Sequence, residues 1–176
     1  MTKRISAVLA SLAFVASMAG AQAPQPLELG VDAGITIGIG DNSITVINIP
    51  AQSLRVGFPI GRRTSIEPKL GMTIISGNDD TFTTYQAEVG LLYHLGSGRY
   101  PGAYHRAGLY VRPFLGIVGF SGDDSDSDGY LGAGLGFKMP LVSRLSSRFE
   151  ANFAHQFVEG DANQIGLLAG LSFFTR

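Results

Sequence analysis

The chain has 176 residues, enough for one domain with a real core, and a formal net charge of −1 at pH 7. This balance gives no signal for nucleic acid or another polyanion as a partner. The sequence contains no cysteine, which excludes disulfides, thiolate metal sites and cysteine catalysis.

Residues 1–23 predict a cleaved secretory signal. Lys3 and Arg4 form a basic start, residues 5–20 are apolar and small, and residues 21–23 read AQA, an A-x-A cleavage site. A transmembrane anchor is the alternative, which the alanine- and serine-rich run and its cleavage site disfavour. We expect a mature, exported domain of residues 24–176 that keeps 14 acidic and 11 basic residues, a formal charge of −3.

Alternation with a period of two recurs eight times along the mature chain, and no further apolar run is long enough for a membrane helix. Turn-rich segments separate the alternating stretches, and no helical pattern intervenes. The second stretch is expected to bend or bulge near Pro50. The predicted strands cover residues 27–40, 44–60, 64–76, 82–95, 107–120, 129–139, 145–157 and 164–175.

This pattern predicts an all-β fold, an eight-stranded antiparallel up-and-down transmembrane β-barrel. The predicted strands have 11 to 17 residues, whereas strands of globular sheets have about 5–6. A tilted strand needs roughly 9–11 residues to cross a bilayer. A soluble barrel with its apolar face turned inward is the alternative, and the polar face decides between the two.

The polar face carries mostly glycine, together with five acidic and five basic residues. As the outer surface of a soluble barrel it has few charges and poor packing. As the lumen of a narrow barrel it is reasonable, because long charged side chains need small neighbours and buried charges must be paired. The ten residues predicted to form a luminal ion-pair network are Glu28, Asp32, Arg55, Glu67, Lys69, Glu88, Arg112, Lys138, Arg148 and Glu150.

The remaining charges separate by sign between the two ends of the predicted barrel. The connections after strands 1, 3, 5 and 7 hold Asp41, Asp79, Asp80, Asp123, Asp124, Asp126, Asp128, Glu159 and Asp161. The opposite turns and the C-terminus hold Arg62, Arg63, Arg99, Arg106, Arg144 and Arg176. Several Tyr and Phe residues near strand ends predict an interfacial girdle, although Tyr110, Tyr130 and Phe120 carry the luminal parity.

With its A-x-A leader, eight alternating strands and final strand NQIGLLAGLSFFTR, the chain resembles the small eight-stranded outer-membrane barrels of the outer-membrane protein X and outer-membrane protein A type. The resemblance implies residence in the bacterial outer membrane, with the chain ends on the periplasmic side. It also implies that the last strand is an assembly signal for the barrel insertion machinery. The expected partners are membrane lipid and lipopolysaccharide, without nucleic acid or cofactor, and the expected state is a monomer.

Two patterns suggest chemistry. His155 has the lipid-facing parity of the histidine in lipid A deacylase barrels, but Phe157 occupies the position where that type carries its serine, so the nucleophile is missing. Asp124, Asp126 and Asp128 match the start of a calcium loop. Leu135 replaces the carboxylate at position 12, which leaves a weak divalent-cation candidate beside a hairpin-tip interpretation.

We therefore predict a non-enzymatic structural or surface protein whose lumen is plugged by charges. The alternatives are a narrow pore, a soluble periplasmic ligand-binding barrel and a lipid A-modifying barrel enzyme.

Overall fold

The computed structural model describes residues 26–39, 45–76, 81–96, 107–121, 126–157 and 162–175. These residues contain no helix that is long and apolar enough to cross a membrane. The strands are β1 (Glu28–Ile39), β2 (Thr45–Pro59), β3 (Thr64–Ser76), β4 (Thr81–His94), β5 (Gly108–Ser121), β6 (Asp126–Val142), β7 (Leu145–Gln156) and β8 (Ala162–Phe174).

The eight strands form a closed antiparallel barrel in chain order, which confirms the predicted fold class. The pairing of β1 with β8 runs from Glu28 opposite Phe174 to Ile39 opposite Asn163. Beyond it, the backbone N–H of Thr175 donates to the carbonyl of Leu27 at 2.9 Å. Closure removes the free strand edges that would otherwise pair with other chains.

Both ends of the described chain lie at one end of the barrel, together with the turns at residues 60–63 and 143–144. We call this the terminal end and the opposite one the distal end.

The barrel has its polar side chains inside and its apolar side chains outside. Among the described residues, fourteen polar or charged side chains are buried, against seven hydrophobic ones. Leu54 and Leu115 on the outer face are each 67% exposed, whereas Glu67 in the lumen is fully buried. An apolar outer wall of this extent fits acyl chains, as in outer-membrane barrels, and does not fit water.

Strand β6 is longer than predicted at both ends. Asp126 and Asp128 lie in the strand, opposite Phe120 and Val118 of β5, so the expected hairpin tip is wrong for these residues. Asp128 has the luminal parity of β6 and is half-buried. At the other end, a register irregularity accommodates Pro140, which cannot donate to the ladder.

The irregularity expected near Pro50 is present in β2. Asp32 lies opposite Ser53, but Gly34, two residues further along β1, lies opposite Asn48. Strand β2 therefore advances by five residues where β1 advances by two, and the unpaired stretch contains Pro50. Proline is tolerated in a strand bulge because the bulged residues are not paired in the ladder, and proline has no N–H to donate.

We predict that Leu135→Arg destabilises the barrel by about 2–4 kcal/mol, because Leu135 lies outward in the middle of β6, where an arginine would meet the bilayer core. The matched control Leu141→Arg, outward near the terminal end of the same strand, should cost about 0–1 kcal/mol. Urea unfolding in phospholipid vesicles measures both. Equal costs at the two positions would contradict the assigned depth.

Candidate functional site

All ten residues predicted for the lumen are buried. Nine of them join in one connected set of ion pairs, which we call the luminal network. Its members are Glu28, Asp32, Arg55, Glu67, Glu88, Arg112, Lys138, Arg148 and Glu150. On each strand they lie at the alternate positions that point inside, which are odd-numbered on β2 and β3 and even-numbered on the other strands.

Arg55 of β2 holds the β1 side of the network. Its guanidinium donates to Glu28 Oε1 at 2.5 Å and to Asp32 Oδ2 at 3.1 Å. It also donates to Ser172 Oγ of β8 at 2.9 Å, and Ser172 in turn donates to Glu28 Oε1 at 2.7 Å. These contacts link β1, β2 and β8 at the seam where the barrel closes.

Lys138 and Arg148 carry the network across the lumen. Lys138 Nζ of β6 lies 2.6 Å from Glu28 Oε2 and 3.3 Å from Glu67 Oε1 of β3. Arg148 of β7 lies 2.9 Å from Glu67 Oε2 through Nη1 and 2.5 Å from Glu150 Oε2 through Nη2. Strands on opposite walls are therefore joined through Glu67, which has no exposed surface.

Arg112 of β5 completes the chain of contacts. Its Nη2 lies 2.7 Å from Glu150 Oε1 and its Nη1 lies 2.5 Å from Glu88 Oε1 of β4. Tyr110 donates to Glu150 Oε2 at 2.9 Å, and Tyr130 donates to Glu88 Oε2 at 3.0 Å. With these contacts, all eight strands contribute a side chain to one bonded cluster.

Tyr110 and Tyr130 are not part of an interfacial girdle, so this expectation is wrong for both. Each is buried in the lumen, and the ring of Tyr110 lies 4.9 Å from Arg148 Cζ. Phe114 is also luminal, with Arg112 Cζ 4.7 Å from its ring centre. The sequence did contain a signal for this luminal position. Tyr110 and Phe114 share the parity of Arg112 on β5, and Tyr130 shares the parity of Lys138 on β6.

Glycines provide the space that the large luminal side chains occupy. A Cβ built on Gly134 would lie 2.6 Å from Glu150 Oε1, and one on Gly90 would lie 2.6 Å from Arg112 Nη1. A Cβ on Gly136 would overlap the ring of Tyr110. Each of these glycines lies beneath a side chain of the network or one bonded to it, so even alanine would displace that side chain.

Lys69 is buried with the network but forms no ion pair with any described residue. The nine network members comprise four cations and five carboxylates, so they sum to −1. Lys69 lies next to Glu88 in the ladder between β3 and β4 and brings the sum over the ten predicted residues to zero. Its role is therefore charge balance at longer range than a direct contact.

The terminal end of the lumen holds buried residues that sequence reasoning missed. Leu92 and Ser146 have no exposed surface, and Phe174 is nearly buried opposite Glu28. Single apolar residues on a polar face carry no periodic signal of their own. Only their parity, the same as that of Glu88 and Ser172, could have placed them inside.

The outward His155 contacts Asn163 and Phe157. Its Nδ1 lies 3.0 Å from Asn163 Oδ1, and the ring of Phe157 packs edge-on against the imidazole at 5.3 Å between centres. Phenylalanine thus occupies the place beside the imidazole where acyl transfer requires a nucleophilic hydroxyl.

The structure describes two of the three aspartates predicted as a weak divalent-cation site, Asp124, Asp126 and Asp128. Asp124 lies outside the described residues, whereas Asp126 and Asp128 lie on β6. Among the described residues, no group of three or more His, Asp or Glu side chains could hold a metal ion.

Comparison with known proteins gives a consistent result. The family model described as outer membrane protein beta-barrel domain matches residues 6–173. Neisserial surface protein A is similar at a TM-score of 0.61 and 14% identity, over 84% of this chain and 96% of that one. Ail, the attachment invasion locus protein of Yersinia pestis, is similar at 0.52 and 13%, over 87% and 100%. No curated protein matches the chain.

We expect Gly136→Ala to lower the free energy of unfolding by about 1–3 kcal/mol, because the added methyl would displace Tyr110 from Glu150. The control is Gly129→Ala on the same strand, where the new Cβ would lie 3.6 Å from Phe157, an ordinary contact. This change should be neutral or stabilise by about 0.5–1 kcal/mol. Denaturant titrations that rank the two variants in the reverse order would refute the packing argument.

We expect Glu67→Gln to cost about 3–5 kcal/mol, because Lys138 and Arg148 would lose the carboxylate between them inside the lumen. Ser146→Ala is the control, since Ser146 is equally buried but its hydroxyl has no hydrogen-bond partner among the described residues. It should change stability by less than about 1 kcal/mol. The same unfolding titration checks both, and a neutral Glu67→Gln would show that the network does not stabilise the barrel.

Proposed function

The chain belongs to the outer membrane protein beta-barrel family, and from this premise we propose that it is a non-enzymatic integral protein of the bacterial outer membrane. Its proposed role is structural or surface-interacting, with a lumen plugged by the luminal network. The resemblance to small outer-membrane barrels and the apolar outer wall support the location.

The observation that carries the proposal is the continuity of the network across the lumen. Glu67 of β3 is bridged to Arg148 of β7 and to Lys138 of β6, so the connections run across the axis as well as along the wall. The interior of an eight-stranded barrel is only wide enough for side chains. Side chains bonded across it leave little room for a continuous column of water.

Opening a pore through this lumen would require several ion pairs to break together. A buried charge that loses its partner costs several kcal/mol. Glu28, Glu67 and Glu150 each contact at least two cations, so a single side-chain rotation cannot clear the path. This supports the plug over the narrow pore.

The surroundings of His155 support the absence of acyl chemistry, because Phe157 packs against the imidazole where a hydroxyl would be required. The names of the two similar structures, a surface protein and an attachment invasion locus protein, refer to roles at the cell surface. We include such a role in the proposal, with the distal end as the part that would face outward.

The proposed partners are lipid and lipopolysaccharide around the apolar wall, and the barrel assembly machinery during insertion. The proposed state is a monomer, because a closed barrel offers no free strand edge for pairing with a second copy.

The decisive test is solute flux through the folded protein in phospholipid vesicles. We expect the wild-type protein to release no entrapped ions above the rate of empty vesicles, because the network fills the lumen. Arg112→Ala/Arg148→Ala, which truncates two of the cross-lumen side chains, should raise the efflux of small ions. Heat-modifiable gel mobility verifies that each protein has folded.

Efflux through wild-type protein, at a rate that scales with protein content, would overturn the plug in favour of a pore. If the double variant does not fold, the wild-type measurement still decides, because the proposal requires it to be tight.

A further inference from the structure

Among the residues whose burial the structure describes, the exposed charged side chains are three arginines. Arg62 and Arg63 lie in the turn between β2 and β3, and Arg144 lies in the turn between β6 and β7. Both turns are at the terminal end. No described carboxylate is exposed there, since Glu28, the acid nearest to this end of β1, is buried and paired inside the lumen.

These arginines lie on opposite sides of the barrel mouth. The turn after β2 and the turn after β6 are separated by four of the eight strands of the closed sheet, which is half of its circumference. Their backbones are fixed to the wall. The carbonyl of Arg63 accepts from the N–H of His94 at 2.8 Å, and that of Arg144 accepts from the N–H of Phe174 at 3.0 Å. The positive charge is thus held at two fixed points of one rim.

The arginines border the apolar outer wall directly. Ile60 precedes Arg62 by two residues, and Val142 precedes Arg144 by two, and both are exposed apolar side chains. Even if the chain were fully extended, two residues would span at most roughly 7 Å, so each arginine backbone lies within that distance of the apolar wall. With the wall in acyl chains, the guanidinium groups therefore lie at the depth of the phospholipid headgroups, which long basic side chains can reach from the edge of the apolar region.

We propose that this arginine rim, defined as Arg62, Arg63 and Arg144, binds the phosphate groups of anionic phospholipids in the leaflet at the terminal end. Guanidinium pairs with phosphate through two parallel hydrogen bonds. Two binding points on opposite sides would fix the depth of the barrel and prevent tilting. The inference rests on the proposed membrane location. The arginines lie directly beside the apolar wall. Binding to a lipid headgroup requires this position, whereas binding to an acidic cell-wall polymer does not, so the position favours lipid.

The experiment is native mass spectrometry of the folded full-length protein in detergent, titrated with phosphatidylglycerol or with phosphatidylcholine. We expect tighter binding of phosphatidylglycerol, and a loss of about fivefold in its affinity for each arginine removed. Arg62→Gln/Arg63→Gln/Arg144→Gln should therefore lose the preference. The matched control, with lysine at the same three positions, keeps the charge and should retain most of the preference.

Equal binding of the two lipids by wild-type protein would overturn the proposal that the arginine rim binds anionic lipid. An undiminished preference for phosphatidylglycerol in the glutamine variant would also overturn it. Binding to purified peptidoglycan that depends on the arginines, without any lipid preference, would assign them to the polymer instead. If the triple variant fails to fold, the single variants Arg62→Gln and Arg144→Gln decide, because each should lose about fivefold in affinity for phosphatidylglycerol and an unchanged affinity in both would overturn the rim. Vesicle efflux is an independent readout, because a conducting protein that prefers phosphatidylglycerol would contradict the plug and support the rim.

Discussion

The structure depends on the pairing of charges that are withdrawn from water. Isolated ions inside a narrow lumen would cost several kcal/mol each. The barrel avoids this by sharing: Glu28 lies between Arg55 and Lys138, Glu67 between Lys138 and Arg148, and Glu150 between Arg148 and Arg112. Because neighbouring carboxylates share a cation, a shift of one strand would disturb more than one pair. The network therefore specifies the register of the barrel as well as its stability.

Pairing of this kind requires space, and the glycines supply it. Arg112 extends over Gly90, Glu150 over Gly134 and the ring of Tyr110 over Gly136. Glycine weakens an ordinary strand because it has no side chain to pack. Here the missing side chain is replaced by one from a neighbouring strand, so the packing is recovered across the ladder. The abundance of glycine on the inner face and the length of the charged side chains are thus two aspects of the same arrangement.

Much of this could be predicted from sequence, because period two determines both the strands and the side to which each residue points. The fold class and the ten charged positions follow from parity alone. The pairing partners do not, since a contact such as that of Glu67 with Arg148 crosses the lumen and depends on how the closed sheet is staggered. The extension of β6 through Asp126 was missed because aspartates normally signal turns. Leu92 and Phe174 were missed because isolated apolar residues on a polar face resemble the opposite wall.

The same charge distribution constrains where the protein can act. The proposed plug would close the passage through the lumen, and a closed sheet offers no edge to a partner strand. The ring of Phe157 packs edge-on against the outward His155. What remains is the outer surface: the apolar wall, the distal connections and the arginines of the terminal rim. Because the charges of the luminal network and Lys69 sum to zero, they cancel at a distance, and the exposed arginines Arg62, Arg63 and Arg144 contribute to a positive field at their end of the barrel. Interactions with anionic groups at the terminal end would therefore involve the proposed rim, and the proposed role of the luminal network is to hold the wall in shape.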